Sequence, residues 1–411
     1  MGFTRSIVSI LVLVLATSCG LAETTAVGGD LLFISARGGG IAVTEAGASA
    51  PKFSARNSIP SSNWDAVAKA YRRGNTTKLV AFDPPTGAVR WETVVAGRQK
   101  VKIVSADGSL AVTSPTGGPG YLGGRTRTTL TVAGSGRIEP RRYDLEGNFE
   151  PEAFSTDGRS LFVVSYLPPR KPTNYQVRRL DLENGEVTGV YTPDAHLQRA
   201  MGGTARIQAA SPDGTRLYTL YTVKADADSQ PRAFVHVLSL DELWAHCIEL
   251  PEGFDSSDDD TGAVTVSRDG EHAYLADSNT EAMVEIDTKT LEVSRIGSVD
   301  LDVSSGTHLA ESADTTLYAA SGVDVVAVDL GTFEERESWQ MFSTVAGLQI
   351  GTNPRQLFVG VRDRIVVLDV ETGLRLDSID PAGIKTIRRF GRVMPPITHE
   401  QQEEENLTCA C

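Results

Sequence analysis

Residues 211–222 read SPDGTRLYTLYT. An Asp side chain in such a turn accepts hydrogen bonds from backbone N–H groups just downstream. Gly takes positive φ without strain, and a preceding Ser does a weaker version of the Asp's work. Asp-Gly between two alternating runs is a strong hairpin signal, so Asp213-Gly214 predicts a hairpin. The unit returns as SADGSL (105–110), STDGRS (155–160), SRDGEH (267–272), SADTTL (312–317) and TNPRQL (352–357). Strand-like runs follow, among them LFVVSY, AYLADS, LYAASG and LFVGVR.

A second element follows each hairpin: LVAFDPPTGAVRWETV (79–94), VRRLDLENGEVTGVY (177–191), VHVLSLDELWAHCIEL (235–250), MVEIDTKTLEVSRIG (283–297), VVAVDLGTFEERESW (325–339) and IVVLDVETGLRLDSI (365–379). Each is a strand ending in or near Asp, a short turn, and another strand. Asp287, Asp329 and Asp369 stand 42 and then 40 positions apart. Earlier units are longer, which reads as loop insertion. Four short strands repeating about every 40–45 residues predict an all-β fold, a β-propeller. Blades stack around an axis because one blade cannot bury both of its faces alone. Tandem β-sandwiches would not need the same turn at the same place six times.

Six turn units, plus a blade assembled from 31–45 and 79–94, predict seven four-stranded blades; six or eight also fit the spacing. The expected organisation is a propeller over 31–390 with an inserted loop at 50–76. That loop contains the one short helix candidate, NWDAVAKAYR (63–72). GIKTIRRF (383–390) is a spare strand that could pair with the N-terminal strands and close the ring. The insert and the Pro-rich basic stretch YLPPRKPTNY (166–175) are the expected contact surfaces, since loops on a rigid scaffold are the usual place for recognition.

The S-x-D-G hairpins and D-x-x-T-G turns resemble bacterial propellers of the YVTN and WD40-like type. That resemblance implies a ring presenting loops or a channel to a partner. The Trp-Asp pair of WD40 repeats is replaced by FD, LD, ID and VD. One copy, Ala81 to Trp91, resembles the tryptophan-docking pattern of quinoprotein-type (PQQ-like) repeats. The resemblance implies that Ala81 faces the neighbouring blade, that Asp83, Thr86 and Gly87 belong to the turn, and that Trp91 stacks on the next blade. The equivalent place in the last copy is Asp377, so a quinone-dependent enzyme gains little support.

The chain begins MGFTRSIVSILVLVLATSCGLAETT. Arg5 precedes an apolar run, Ile7 to Ala16, that is shorter than the roughly 20 residues of a membrane-spanning helix. Basic start, apolar middle and small residues make a signal peptide over 1–18. Ala16-Thr17-Ser18-Cys19 resembles the bacterial lipobox, with Ala16 where that family prefers Leu. The resemblance implies lipid on Cys19, a tether over 19–30, and a propeller on the extracytoplasmic face of a bacterial membrane.

The formal charge of −14 argues against nucleic acid, whose phosphates call for Lys and Arg. Of four cysteines, Cys247, Cys409 and Cys411 are disulfide candidates; a Cys409–Cys411 bridge would close a strained ring. Asp255, Asp258, Asp259 and Asp260 are weak candidates for a hard cation, without the spacing of an EF-hand. EQQEEEN (400–406) sits in an acidic tail over 391–411. No nucleophile elbow, HExxH or P-loop occurs. No catalytic residue and no cofactor are expected. The expected role is a lipid-anchored, monomeric binding or scaffold module for a protein, peptide or glycan partner. The alternative is a lactonase- or quinoprotein-like enzyme with a metal or quinone in the channel.

Overall fold

A computed structural model describes residues 29–395 apart from 37–38, 47, 49, 136–138, 193–200, 224–231, 253, 255–260, 304–305, 312–314, 382–383 and 385. Cys19, Cys409, Cys411 and the four aspartates at 255 and 258–260 lie outside the described residues.

Thirty-two strands among the described residues form eight four-stranded antiparallel sheets, one per blade. The expected seven blades are therefore corrected to eight. Leu31–Ala36, Gly40–Glu45 and Phe53–Arg56 are the outer three strands of blade 1, and Ile387–Met394 is its innermost. That last strand pairs antiparallel with Leu31–Ala36 and closes the ring between the two ends of the chain. Blade 2 is Ser58–Pro60, Val67–Arg73, Thr76–Phe82 and Val89–Ala96. Residues 50–76 are thus strands of blades 1 and 2 rather than an inserted loop. The helix candidate at 63–72 is a turn entering the strand Val67–Arg73.

The extra blade escaped the repeat pattern because its turn is disguised. In blade 3, Ser105 Oγ donates to Asp107 Oδ1 (2.6 Å), and the amides of Ser109 and Leu110 donate to Asp107 Oδ1 and Ser105 Oγ. The same network recurs at Ser155/Asp157, Ser211/Asp213 and Ser267/Asp269. Blade 2 makes it from Ser61 and Asn63, with Ser61 Oγ donating to Asn63 Oδ1 (2.8 Å) and Ala66 N donating to Ser61 Oγ (3.1 Å). Where the other copies carry Gly, it carries Trp64 at φ 66°. Positive φ is costly for a bulky residue. Burial of the indole edge-on against Phe33 of blade 1, ring centroids 6.4 Å apart, offsets that cost.

Blades bury both faces, so their middle strands are apolar runs rather than alternating ones. Leu31 to Ile34 and Leu357 to Val359 are fully buried. Outermost strands alternate or are exposed, as in Glu292–Ser298 and Glu334–Gln340. The core is accordingly a ring of clusters between neighbouring blades, such as the one joining Leu220 and Val235 of blade 5 to Leu275 and Val284 of blade 6.

The central channel as candidate functional site

The innermost strands of successive blades stand side by side around the axis. Two adjoining cavities, of about 600 and 570 Å³, occupy the space they enclose and share Ser62, Asn63 and Pro212. Side chains at alternate positions of these strands face the channel, and its two walls differ in chemistry.

Blade 3 (Gln99–Val104, Leu110–Pro115, Arg127–Gly134, Arg141–Glu146) and blade 4 (Asn148–Phe154, Ser160–Leu167, Asn174–Asp181, Val187–Gly189) form the first wall. Glu150 accepts from Lys102 Nζ (2.5 Å) and Arg125 Nη2 (2.7 Å), and Arg125 also donates to the Phe149 carbonyl. Two residues on, Glu152 accepts from Gln208 Nε2 (2.8 Å), which in turn contacts Thr219 Oγ1. Its depth in the ring pushes the Glu152 carboxyl above its usual range, partly opposed by the Gln208 bond. Surface area leaves Glu152 only half-buried because it borders the cavity, but protein surrounds that cavity.

Blade 7 (His308–Glu311, Thr316–Ser321, Asp324–Asp329, Glu334–Gln340), blade 8 (Val345–Ile350, Gln356–Val361, Arg364–Asp369, Arg375–Ile379) and the closing strand of blade 1 form the second wall. His308, Gln349 and Arg389 line it. Arg389 has no ion pair or hydrogen bond among the described residues. By surface area it is exposed, because it opens on the cavity; the protein around that cavity still desolvates it and lowers its affinity for the proton. The His308 imidazole is pushed down to about 4, first by burial and then by the Arg389 charge, against a hydrogen bond with the Val345 backbone. This wall therefore presents Arg389 beside neutral polar groups, with Asp65 of blade 2, which makes no ion pair to it among the described residues, and Arg268 of blade 6 bordering the same cavity.

Sequence reasoning missed these residues. The available signal was charge at alternating positions of strands next to the apolar runs: Lys100 and Lys102, Glu150 and Glu152, Arg389 in GIKTIRRF. Of the residues it did single out, the Ala81–Trp91 set lies in blade 2, away from these walls. Ala81 is buried opposite Trp91, whose Nε1 donates to the Gly108 carbonyl of blade 3 (2.7 Å). Asp83 accepts from Thr86 N (3.1 Å) and Thr86 Oγ1 (2.5 Å) and pairs with Arg90 (2.8 Å), while Gly87 sits at φ 72°. A side chain at Gly108 would press into Ala66, since its Cβ would lie 2.3 Å from that of Ala66. Cys247 lies in blade 5 (Thr204–Ala210, Arg216–Val223, Arg232–Ser239, Ala245–Glu249). YLPPRKPTNY contributes Tyr166 and Tyr175 to an aromatic stack that runs from Tyr121 to Tyr221 and Phe234. Among the described residues no three His, Cys, Asp or Glu side chains converge as a metal site, and no helix is long and apolar enough to cross a membrane.

No family model and no curated protein sequence matches this chain. Its fold is similar to that of solved structures. Apo AztD from Citrobacter koseri superposes with a TM-score of 0.56 at 11% identity, over 90% of this chain and 100% of that one. A second AztD structure from Citrobacter koseri gives 0.54 at 10% identity over 91% and 100%. Saccharomyces cerevisiae Sqt1 gives 0.51 at 9% identity over 83% and 88%. At such identities the likeness establishes the fold, a β-propeller, and function has to come from the site.

Proposed function

We propose that this chain is a binding module, anchored by lipid on Cys19 at the extracytoplasmic face of a membrane. Its channel receives an anionic group of a protein, peptide or glycan partner. Arg389 carries the reading. A guanidinium desolvated without a carboxylate partner is unfavourable in the empty protein, and a carboxylate or similar anion would offset that cost through paired charge-assisted hydrogen bonds. The signal layout at 1–18 and the small residues before Cys19 support the anchor. The acidic overall charge favours steering of a partner that presents its anion within a neutral or basic surface.

The test is native mass spectrometry of the full-length protein, extracted gently from the membrane of its own host, beside the Arg389→Gln variant. A diacylated mass carrying a partner, with the partner lost in the variant, is the expected result. An unlipidated chain would overturn the anchor. A partner retained equally by Arg389→Gln would overturn the role of the channel.

A further inference from the structure

Away from the channel, a cavity of about 430 Å³ opens where blade 4 meets blade 5. We propose that Met201, Cys247 and His236, which border this cavity, bind a soft monovalent metal ion, copper(I).

The three residues are brought together by pairing from different directions. Met201 is fixed by a reciprocal backbone bridge with Tyr175, the two N···O distances being 2.8 and 2.7 Å. Cys247 and His236 stand directly opposite each other on paired antiparallel strands of blade 5. Directly opposite residues share a face and have Cβ atoms about 5 Å apart. Cys247 Sγ lies 3.7 Å from Met201 Sδ. Two sulfur ligands each about 2.3 Å from a tetrahedral ion would be about 3.8 Å apart, so the observed spacing needs almost no adjustment to admit one.

Ordinary packing accounts for a thioether against a thiol. It does not account for His236. That side chain is 4% exposed, borders the cavity, and has an edge contact with Tyr221 but no hydrogen bond among the described residues. A buried imidazole with no polar partner among the described residues calls for an explanation. A metal ion would supply one. His246, next in sequence to Cys247, borders the same cavity with its Nδ1 buried and unpartnered.

The donor set selects the ion. Thiolate, thioether and imidazole suit copper(I), whereas magnesium, calcium and manganese want carboxylate and carbonyl oxygens. Among the described residues no carboxylate borders this cavity. On binding, the thiol gives up its proton to solvent and the metal keeps its oxidation state.

The test uses full-length chain carrying Cys409→Ser and Cys411→Ser, kept reduced and free of oxygen, with copper(I) supplied as its bicinchoninate complex. Transfer of one copper(I) equivalent is expected, and adding Cys247→Ser should abolish it. Met201→Leu, which keeps the packing, should weaken binding by about tenfold, and His236→Gln by a similar factor. X-ray absorption should show two sulfur neighbours and at least one nitrogen, a signature that a merely structural role would not give. Circular dichroism and thermal melts confirm that each variant is folded. No transfer to the parent chain would overturn the proposal. So would transfer unchanged by Cys247→Ser, or by both Met201→Leu and His236→Gln.

Discussion

The two walls of the channel treat charge in opposite ways. Blades 3 and 4 match charge at Glu150, which has both Lys102 and Arg125, and give Glu152 the neutral amide of Gln208. Blades 7, 8 and 1 present Arg389 beside a neutral His308 and Gln349, with no ion pair to the guanidinium among the described residues, although Asp65 borders the same cavity. The richer wall is the structural one. The charges around Glu150 satisfy each other, and a ligand would have to break existing pairs to use them. The poorer wall holds an unspent interaction. Removing the paired charge of Glu150 and the unpaired charge of Arg389 should therefore have opposite effects on stability, which is how the contrast can be tested.

The largest effect is expected at Glu150. Glu150→Gln leaves Lys102 and Arg125 facing each other without an anion, and breaking a partly buried pair from one side should cost about 2–3 kcal/mol. The three side chains retain only 15–24% of their surface, so solvent cannot fully compensate. Chemical denaturation at neutral pH should show the loss. A cost near zero would mean that water already screens this wall and that the contrast is only apparent.

His308 gives the next effect. Its folded value of about 4 lies below the ordinary 6.5. A lowered histidine contributes stability that is fully present above 6.5 and is lost as pH falls towards 4. The loss should be on the order of 2 kcal/mol, discounted from full linkage because channel water screens the ring. Stability followed from pH 7.5 to 4 should fall less steeply in His308→Gln. Arg389→Gln should also flatten it, because the Arg389 charge is the second cause of the shift. An unchanged profile in both variants would mean that the acid sensitivity comes from elsewhere.

Arg389→Gln itself should be neutral or stabilising by at most about 0.5–1 kcal/mol at pH 7, since it removes a charge that lacks a protein partner but whose exposed side is already screened by channel water. Loss of stability comparable to Glu150→Gln would show that Arg389 is structural after all.

Local chemistry explains what could be read in advance. A turn carried by Asp-Gly announces itself, and so does an Asp that receives two downstream amides, as at Asp287, Asp329 and Asp369. These residues marked the repeat. The turn at Ser61–Ala66 works through the same hydroxyl and carboxamide bonds, but Asn63-Trp64 hides it, and one hidden turn changed seven blades to eight. Its Trp is tolerated because of Phe33, a residue of another blade, and no local pattern contains that fact. The strand Val67–Arg73 has the composition of a short helix (Ala, Lys, Tyr, Arg) and is held extended by its pairing with Thr76–Phe82. The channel was harder still. Arg388 and Arg389 are equivalent in sequence; closing the ring decides which one meets water inside.

The smallest effect is expected at Glu152, and its sign is the finest check on the comparison. Burial raises this carboxyl, with the Gln208 bond pulling the other way. A raised carboxyl stabilises the fold below the ordinary 4.5 and loses that contribution as pH rises through its folded value. Glu152→Gln removes the titration while its amide can still pair with Gln208 in either orientation. The variant should match the wild type below pH 4.5 and exceed it by about 0.5 kcal/mol at pH 7, after allowance for channel water. Thermal melts at the two pH values measure this. Destabilisation at pH 7 would instead mean that the Glu152 charge is stabilised across the channel by a cation of the second wall. The two walls would then be one electrostatic unit, and Arg389 would no longer be the unmatched charge on which the binding proposal rests.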